Sequence, residues 1–154
     1  MQISVTTDYA IRIIVFLDVE GKGTARTADE ISKAMHIPKG YLAKILKKLK
    51  NGNLIDSVIG QKGGYYLVKD KKEITLLQIM ENIEKTMFIN RCLEPDEYCN
   101  RAAAHSCQIR RYYQEVQEEI REKYFNISIE ELIHRYPDSG LGLLCDADGE
   151  FAEG

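Results

Sequence analysis

Three cysteines, Cys92, Cys99 and Cys107, stand within sixteen residues of one another, and a fourth, Cys145, lies far behind them. Thiolates are soft, negatively charged donors that suit iron and zinc. They are also nucleophiles that can be oxidised and restored. In a chain expected to work in the cytosol, a disulfide framework is the less favoured use of such cysteines. The cluster therefore points to a metal site or a redox switch. Zinc, colourless and released by acid, is one option beside iron and a bare thiol switch.

A second set of residues has a different chemistry. Tyr41, Lys44, Lys47 and Lys48 recur at helical spacing and make a basic, aromatic-edged stripe. Leu42, Ile45, Leu46 and Leu49 make an apolar stripe on the opposite side. A basic helix face of this kind suits DNA. Side chains near the helix start, here Tyr41 and Lys44, are placed for base edges. Lys47, Lys48 and Lys50 are placed for phosphates. Downstream, Gly60-Gln61-Lys62-Gly63-Gly64 offers an amide, a lysine and open backbone, which suit phosphates or a minor groove. The glycines there also serve turn geometry.

The surrounding pattern supplies elements to hold both sets. Residues 6–19 are apolar almost all round and predict a buried first helix. Thr27 and Glu30 form a capping box before a short helix that ends at His36-Ile37-Pro38. The basic helix follows over about 38–51, with Pro38 in its first turn. Two short helices joined by a tight turn describe a helix-turn-helix. Residues 54–59 and 65–68 predict two strands joined by the Gly-rich turn, a wing. Thr75 and Gln78 form a second capping box, opening a helix that runs to about Lys85. Residues 88–106, which hold Cys92 and Cys99, read as irregular. A long helix then runs from about Cys107 to about Tyr124, with Ile109, Tyr113, Val116 and Ile120 in a heptad-like seam. A seam of that length in so small a chain predicts packing on a second subunit. Ser128 caps a last short helix, and Pro137 ends it.

Charge divides along the same lines. Residues 1–72 carry 13 Lys and Arg against 7 Asp and Glu, a net of +6, and the remainder carries −9. A basic module joined to an acidic one is the pattern of a nucleic-acid binder, which the overall −3 conceals. The 44% of hydrophobic residues is enough for a packed core and argues against wholesale disorder. No run approaches the about 20 apolar residues of a membrane span. No signal-peptide pattern opens the sequence. A cytoplasmic protein is expected. His36, His105 and His134 are scattered, and no phosphate-binding loop, nucleotide fingerprint or nucleophile triad is present, so an enzyme is not expected.

Four features together carry a resemblance. They are Thr7-Asp8-Tyr9-Ala10-Ile11-Arg12; Ile37-Pro38-Lys39-Gly40-Tyr41-Leu42 with Ile45 and Leu46; the wing Gly60-Gln61-Lys62-Gly63-Gly64-Tyr65-Tyr66-Leu67; and the cysteine segment running into a long helix. Over roughly residues 1–125 the chain resembles the Rrf-two family of bacterial winged-helix regulators, the IscR/NsrR-like group. The resemblance implies a homodimer on a pseudo-palindromic double-stranded operator, with Lys39, Tyr41, Lys44, Lys47, Lys48, Gln61, Lys62, Gly63, Gly64 and Tyr65 at the DNA. It implies an iron–sulfur cluster held by Cys92, Cys99 and Cys107, with 4Fe-4S favoured over 2Fe-2S. IscR-like members carry a histidine three residues after the third cysteine, where this chain has Arg110. NsrR-like members use an acidic residue of the other subunit's first helix, a position that Asp8 fills. His105, two residues before Cys107, is the rival fourth ligand. The wing carries Ile59 where many members have arginine, which changes the preferred sequence or weakens wing readout.

The expected fold is mainly α with a small β wing: a winged helix-turn-helix over 1–72, a cluster-binding segment and dimerisation helices over 73–137, and a loose tail over 138–154. The expected function is a dimeric repressor switched by a cluster that senses nitric oxide, redox or iron status. The alternative is a cluster-free relative controlled by cysteine oxidation or a partner protein.

Overall fold

The computed structural model describes residues 3–19, 21, 23–60 and 62–135. Along the chain lie α1 (Val5–Val19), α2 (Ala28–Ala34), α3 (Lys39–Asn51), β1 (Ile55–Val58), β2 (Gly64–Leu67) and α4 (Leu76–Ile83). A 3-10 turn (Arg91–Leu93) precedes α5 (Gln108–Ile120), which runs on through a π-helical turn (Arg121–Phe125), and α6 (Ile129–Arg135) closes the order. This is the mainly helical, winged helix-turn-helix architecture that the residue pattern predicts. Among the described residues no helix is long and apolar enough to cross a membrane.

The first helix is central because it has almost no polar face. Ala10, Ile13, Ile14, Val15 and Leu17 are all buried, and α3 and α4 pack against it. Both capping boxes form. The Thr27 hydroxyl accepts from the Glu30 amide at 3.2 Å, and the Thr27 amide donates to the Glu30 carboxylate at 2.7 Å. Thr75 and Gln78 repeat the arrangement at the start of α4. Each such cap contributes about 1 kcal/mol by satisfying amides that a helix start leaves unpaired. Pro38 stands one place ahead of the helix proper, with ψ at 132°. Its carbonyl still accepts the Leu42 amide at 3.0 Å, so it closes the first turn from outside.

The wing is a two-stranded antiparallel sheet with Ile55 opposite Leu67 and Val58 opposite Gly64. Arg26 adds a bridge on its far side, exchanging two backbone bonds with Tyr65 at 2.9 and 2.8 Å. That bridge explains Gly64, which sits in β2 rather than in the turn. A Cβ there would meet the Arg26 carbonyl oxygen at 2.4 Å.

One apolar core joins α1, α2, α3 and the wing with Ile74, Ile79, Ile83 and Ile129 from beyond residue 72. The reading head and the segment after it therefore share a core. In α5 the expected seam is open: Ile109 is 59% exposed, and Tyr113, Val116 and Ile120 are only half-buried. The buried residue of α5 is Gln117, whose side chain donates to the Met87 carbonyl and accepts from the Ile89 amide. The helix stop expected at Pro137, the tail 138–154 with Cys145, and Gln61 all lie outside the described residues.

Candidate nucleic-acid interface and cysteine segment

The recognition helix α3 seats itself by burying Leu42, Ile45, Leu46 and Leu49. That fixes which side chains turn outward. Tyr41 is 59% exposed, and Lys44 and Lys47 are exposed with no described residue paired to them. The other α3 lysines expected at the DNA are engaged within the chain. Lys39 pairs with Asp29 at 2.7 Å, tying the start of α3 to α2. Lys50 pairs with Asp56 at 2.8 Å and donates to the Ser57 hydroxyl at 2.6 Å, tying the end of α3 to the wing. Lys48 turns toward α4 and donates to the Ile83 carbonyl at 2.6 Å. Lys48, expected at a phosphate, is thus engaged inside the chain in this structure.

At the wing, Lys62 is exposed beside Ile59, which is 99% exposed. Gly63 keeps the turn slim: a Cβ there would lie 2.5 Å from the Val58 carbonyl oxygen. Gly64 is committed to the Arg26 bridge, and Tyr65 is half-buried against the core. Both stand further from the wing tip than Lys62 does.

The cysteine segment is held by charge pairs and by Leu93, which is buried beside Cys92. Arg91, at the 3-10 turn that carries Cys92, forms a two-pronged ion pair with Asp96 and lies 5.4 Å from the centre of the Tyr98 ring. The Asp96 carboxyl falls to about 2 because the Arg91 guanidinium hydrogen-bonds to it. Arg110, reaching back from α5, donates to the Cys92 carbonyl at 3.0 Å and pairs with Glu97 at 2.8 Å. His105 is exposed, 3.7 Å from the same Glu97 carboxylate.

Cys92, Cys99 and Cys107 are all free thiols, each half-buried. Cys107 stands at the N-cap position of α5, its thiol making no capping bond. The amides of Ala103 and Arg101 point at the Cys99 sulfur and hold that thiol below the ordinary cysteine range. Three accessible thiols, one of them biased toward thiolate, match the donor chemistry of an iron–sulfur cluster. Their side chains are not gathered in the single chain: among the described residues, no three cysteine, histidine or acidic groups lie close enough to hold one ion. Asp8, on the first turn of α1, is half-exposed and paired with Arg12 at 2.6 Å.

Sequence reasoning missed two supports of this region. One is Gln117. The other is Glu84, whose Oε1 accepts from the Ser4 amide at 2.9 Å, the Ser4 hydroxyl at 2.8 Å and the Thr7 hydroxyl. Partial burial pushes the Glu84 carboxyl up, but the bonds from Thr7 and Ser4, with Lys48 nearby, outweigh it and leave it below the usual range. Only the buried Thr7 on an apolar helix hints at such a partner in the sequence.

Comparison with known proteins finds transcription regulators. A putative HTH-type transcriptional regulator of Aquifex aeolicus is 27% identical over 134 residues, covering 87% of this chain and 92% of that one. The HTH-type transcriptional regulator NsrR of Bacillus subtilis is 25% identical over 97 residues, covering 63% of this chain and 62% of its own length. The solved structure of CymR, the global cysteine regulator of B. subtilis, superposes with a TM-score of 0.62 at 23% identity, covering 88% of this chain and 98% of that one. The model of one family, described as iron-dependent transcriptional regulators, matches residues 3–135, and the chain belongs to that family, Rrf2.

Proposed function

We propose that this chain is a dimeric repressor of a pseudo-palindromic operator, whose hold on DNA is switched at Cys92, Cys99 and Cys107 by an iron–sulfur cluster responsive to nitric oxide, redox or iron status. The observation that carries the reading is the placement of three free, half-buried thiols on the segment that follows α4, the helix to whose last carbonyl Lys48 of the DNA-reading module is bonded. The three cysteines would hold the cluster. Asp8 of the partner subunit is the favoured fourth ligand, after release from Arg12, and His105 is the rival. When bound, a cluster supplies a reactive, oxidisable centre that also cross-links the segment. The chain's own residues do the rest. Arg110, Arg91 and Gln117 hold the loop in one arrangement, α3 presents Tyr41, Lys44 and Lys47 to the major groove, and Lys62 flanks it from the wing. The open seam of α5, with Ile109 exposed and Tyr113, Val116 and Ile120 only half-buried, supports pairing of two chains, which sets the spacing of the two heads.

A thiol switch without a cluster is the second reading. It is favoured by the ungathered side chains and by the thiolate-biased Cys99. An ultraviolet–visible spectrum with iron and sulfide assays on anaerobically purified protein separates the two. Broad absorption near ~400 nm with acid-labile sulfide is expected. A colourless, metal-free protein that also fails to reconstitute would move the assignment to the thiol switch. Unchanged operator binding and nitric-oxide response in Cys99→Ala would overturn both.

A further inference from the structure

We propose that Lys48 is a positioning residue that fixes the recognition helix to the end of α4, from which the chain leads into the cysteine segment, so that the state of that segment reaches the DNA. The proposal rests on the reading of residues 92–107 as the sensing segment.

The last carbonyls of a helix have no partner within it and form the negative end of its dipole. In α4 one of these, Ile83, is met by the Lys48 ammonium at 2.6 Å. A hydrogen bond from an ammonium to such a carbonyl is among the stronger ones a protein makes. The next residue, Glu84, leaves the helix in extended conformation, and from there the chain runs to Cys92. Glu84 is also where the N-terminus of α1 is bound, through Ser4 and Thr7, one residue before Asp8. Three parts of the molecule thus meet at two consecutive residues: the recognition helix, the helix bearing Asp8, and the end of α4 that leads on to the cysteine segment. The contact is close as well as polar. The Asn82 side chain lies against Gly52 at the end of α3, where a Cβ would be 2.0 Å from its oxygen. A shift of residues 83–84 therefore has to move α3, its lysines included, or break these bonds. Adjacent Lys47 has no such tie and is free for phosphate.

The test uses the full chain, a duplex that the chain itself selects from a random pool, and the variants Lys48→Met, Lys48→Arg and Lys47→Met. The first readout is the salt dependence of binding. Lys47→Met is expected to flatten the slope by about 0.9 for each phosphate it no longer neutralises, whereas Lys48→Met leaves the slope at its wild-type value. The second is amide hydrogen exchange, expected to speed up at residues 83–92 in Lys48→Met and to stay slow in Lys48→Arg. The third is affinity before and after hydrogen peroxide. Wild type is expected to change by about 5- to 150-fold, the usual range for two coupled sites, and Lys48→Met by a factor of about one. A flattened slope in Lys48→Met, or a peroxide response equal to that of wild type, would overturn the proposal. A wild type that binds but ignores peroxide sinks the sensing reading itself, and the coupling with it, while the slope and exchange still decide whether Lys48 is an anchor or a phosphate ligand. If Lys48→Met does not fold, Lys48→Gln carries the same comparisons.

Discussion

The Arg110 guanidinium donates to the Cys92 carbonyl at 3.0 Å while its other arm holds Glu97 at 2.8 Å. Helix α5 thereby holds the loop at Cys92, next to Arg91, and at Glu97, next to Asp96, the two residues whose ion pair closes the turn. The side chain of Arg110 is only 12% exposed, so its stem is packed and its charge is partly shielded from water. The arginine thus orders the loop through its backbone.

Arg110→Ala should therefore loosen the cysteine segment more than it destabilises the fold. Charge-assisted bonds are worth about 1.5–3 kcal/mol when buried, and the exposure of Glu97 discounts that to about 1–2 kcal/mol here. Urea unfolding should show that loss. Iodoacetamide should modify Cys92 several-fold faster than in wild type. Equal labelling rates in the two proteins would show that Arg110 does not order the loop.

Glu84 predicts a specific acid sensitivity. Its folded pKa is depressed below the ordinary 4.5 by the bonds from Thr7 and Ser4, against the opposing effect of burial. A depressed carboxylate contributes stability that is fully present above the unfolded pKa and is lost as pH falls through the folded one. Wild type should lose that contribution between about pH 5 and the folded value. Glu84→Gln should lack it at neutral pH and so show a flatter decline in urea midpoint over the same interval. Parallel declines would assign the acid sensitivity to other carboxylates, such as Asp96.

How much of the fold and site is legible in the sequence follows from the distance between partners. The capping boxes at Thr27 and Thr75 close over three residues, and α3 announces its apolar stripe within two turns, so pattern alone places them. Lys47 and Lys48 are neighbours of one type, and their difference depends on a carbonyl 35 residues from Lys48. The Arg26–Tyr65 bridge and the Gln117 side chain on Met87 and Ile89 are also long-range, made by backbone groups that every residue carries. Such contacts leave no mark in composition or period. The cysteines are visible as chemistry, but their failure to converge within one chain is not, because spacing along a loop does not fix where its side chains meet.

Ile59 offers a test of the wing. It is 99% exposed, so no native packing is removed when it is replaced, and Ile59→Arg should leave stability within about 0.5 kcal/mol of wild type. If the wing lies along the groove, the new guanidinium should steepen the salt slope by about 0.9 per phosphate reached, or add preference for a narrow A·T-rich minor groove. Binding identical to wild type in both respects would place the wing away from DNA.

The outward face of α3 separates positioning from reading. Lys44→Met and Lys47→Met remove charge from side chains that pair with no described residue, so neither should change stability by more than about 0.5 kcal/mol. If both reach phosphates, each should weaken binding to all sequences alike and flatten the salt slope by about 0.9 per phosphate, doubled in a dimer. Tyr41, near the helix start and 59% exposed, is in the place from which base edges are read. Tyr41→Ala should leave the slope alone and cost about 1–3 kcal/mol on the preferred duplex but little on a scrambled one. Competition binding with the two duplexes over a salt series measures both effects. If Lys44→Met instead weakens binding only to the preferred duplex, with its salt slope intact, Lys44 reads bases alongside Tyr41 and the phosphates on this face fall to Lys47 alone.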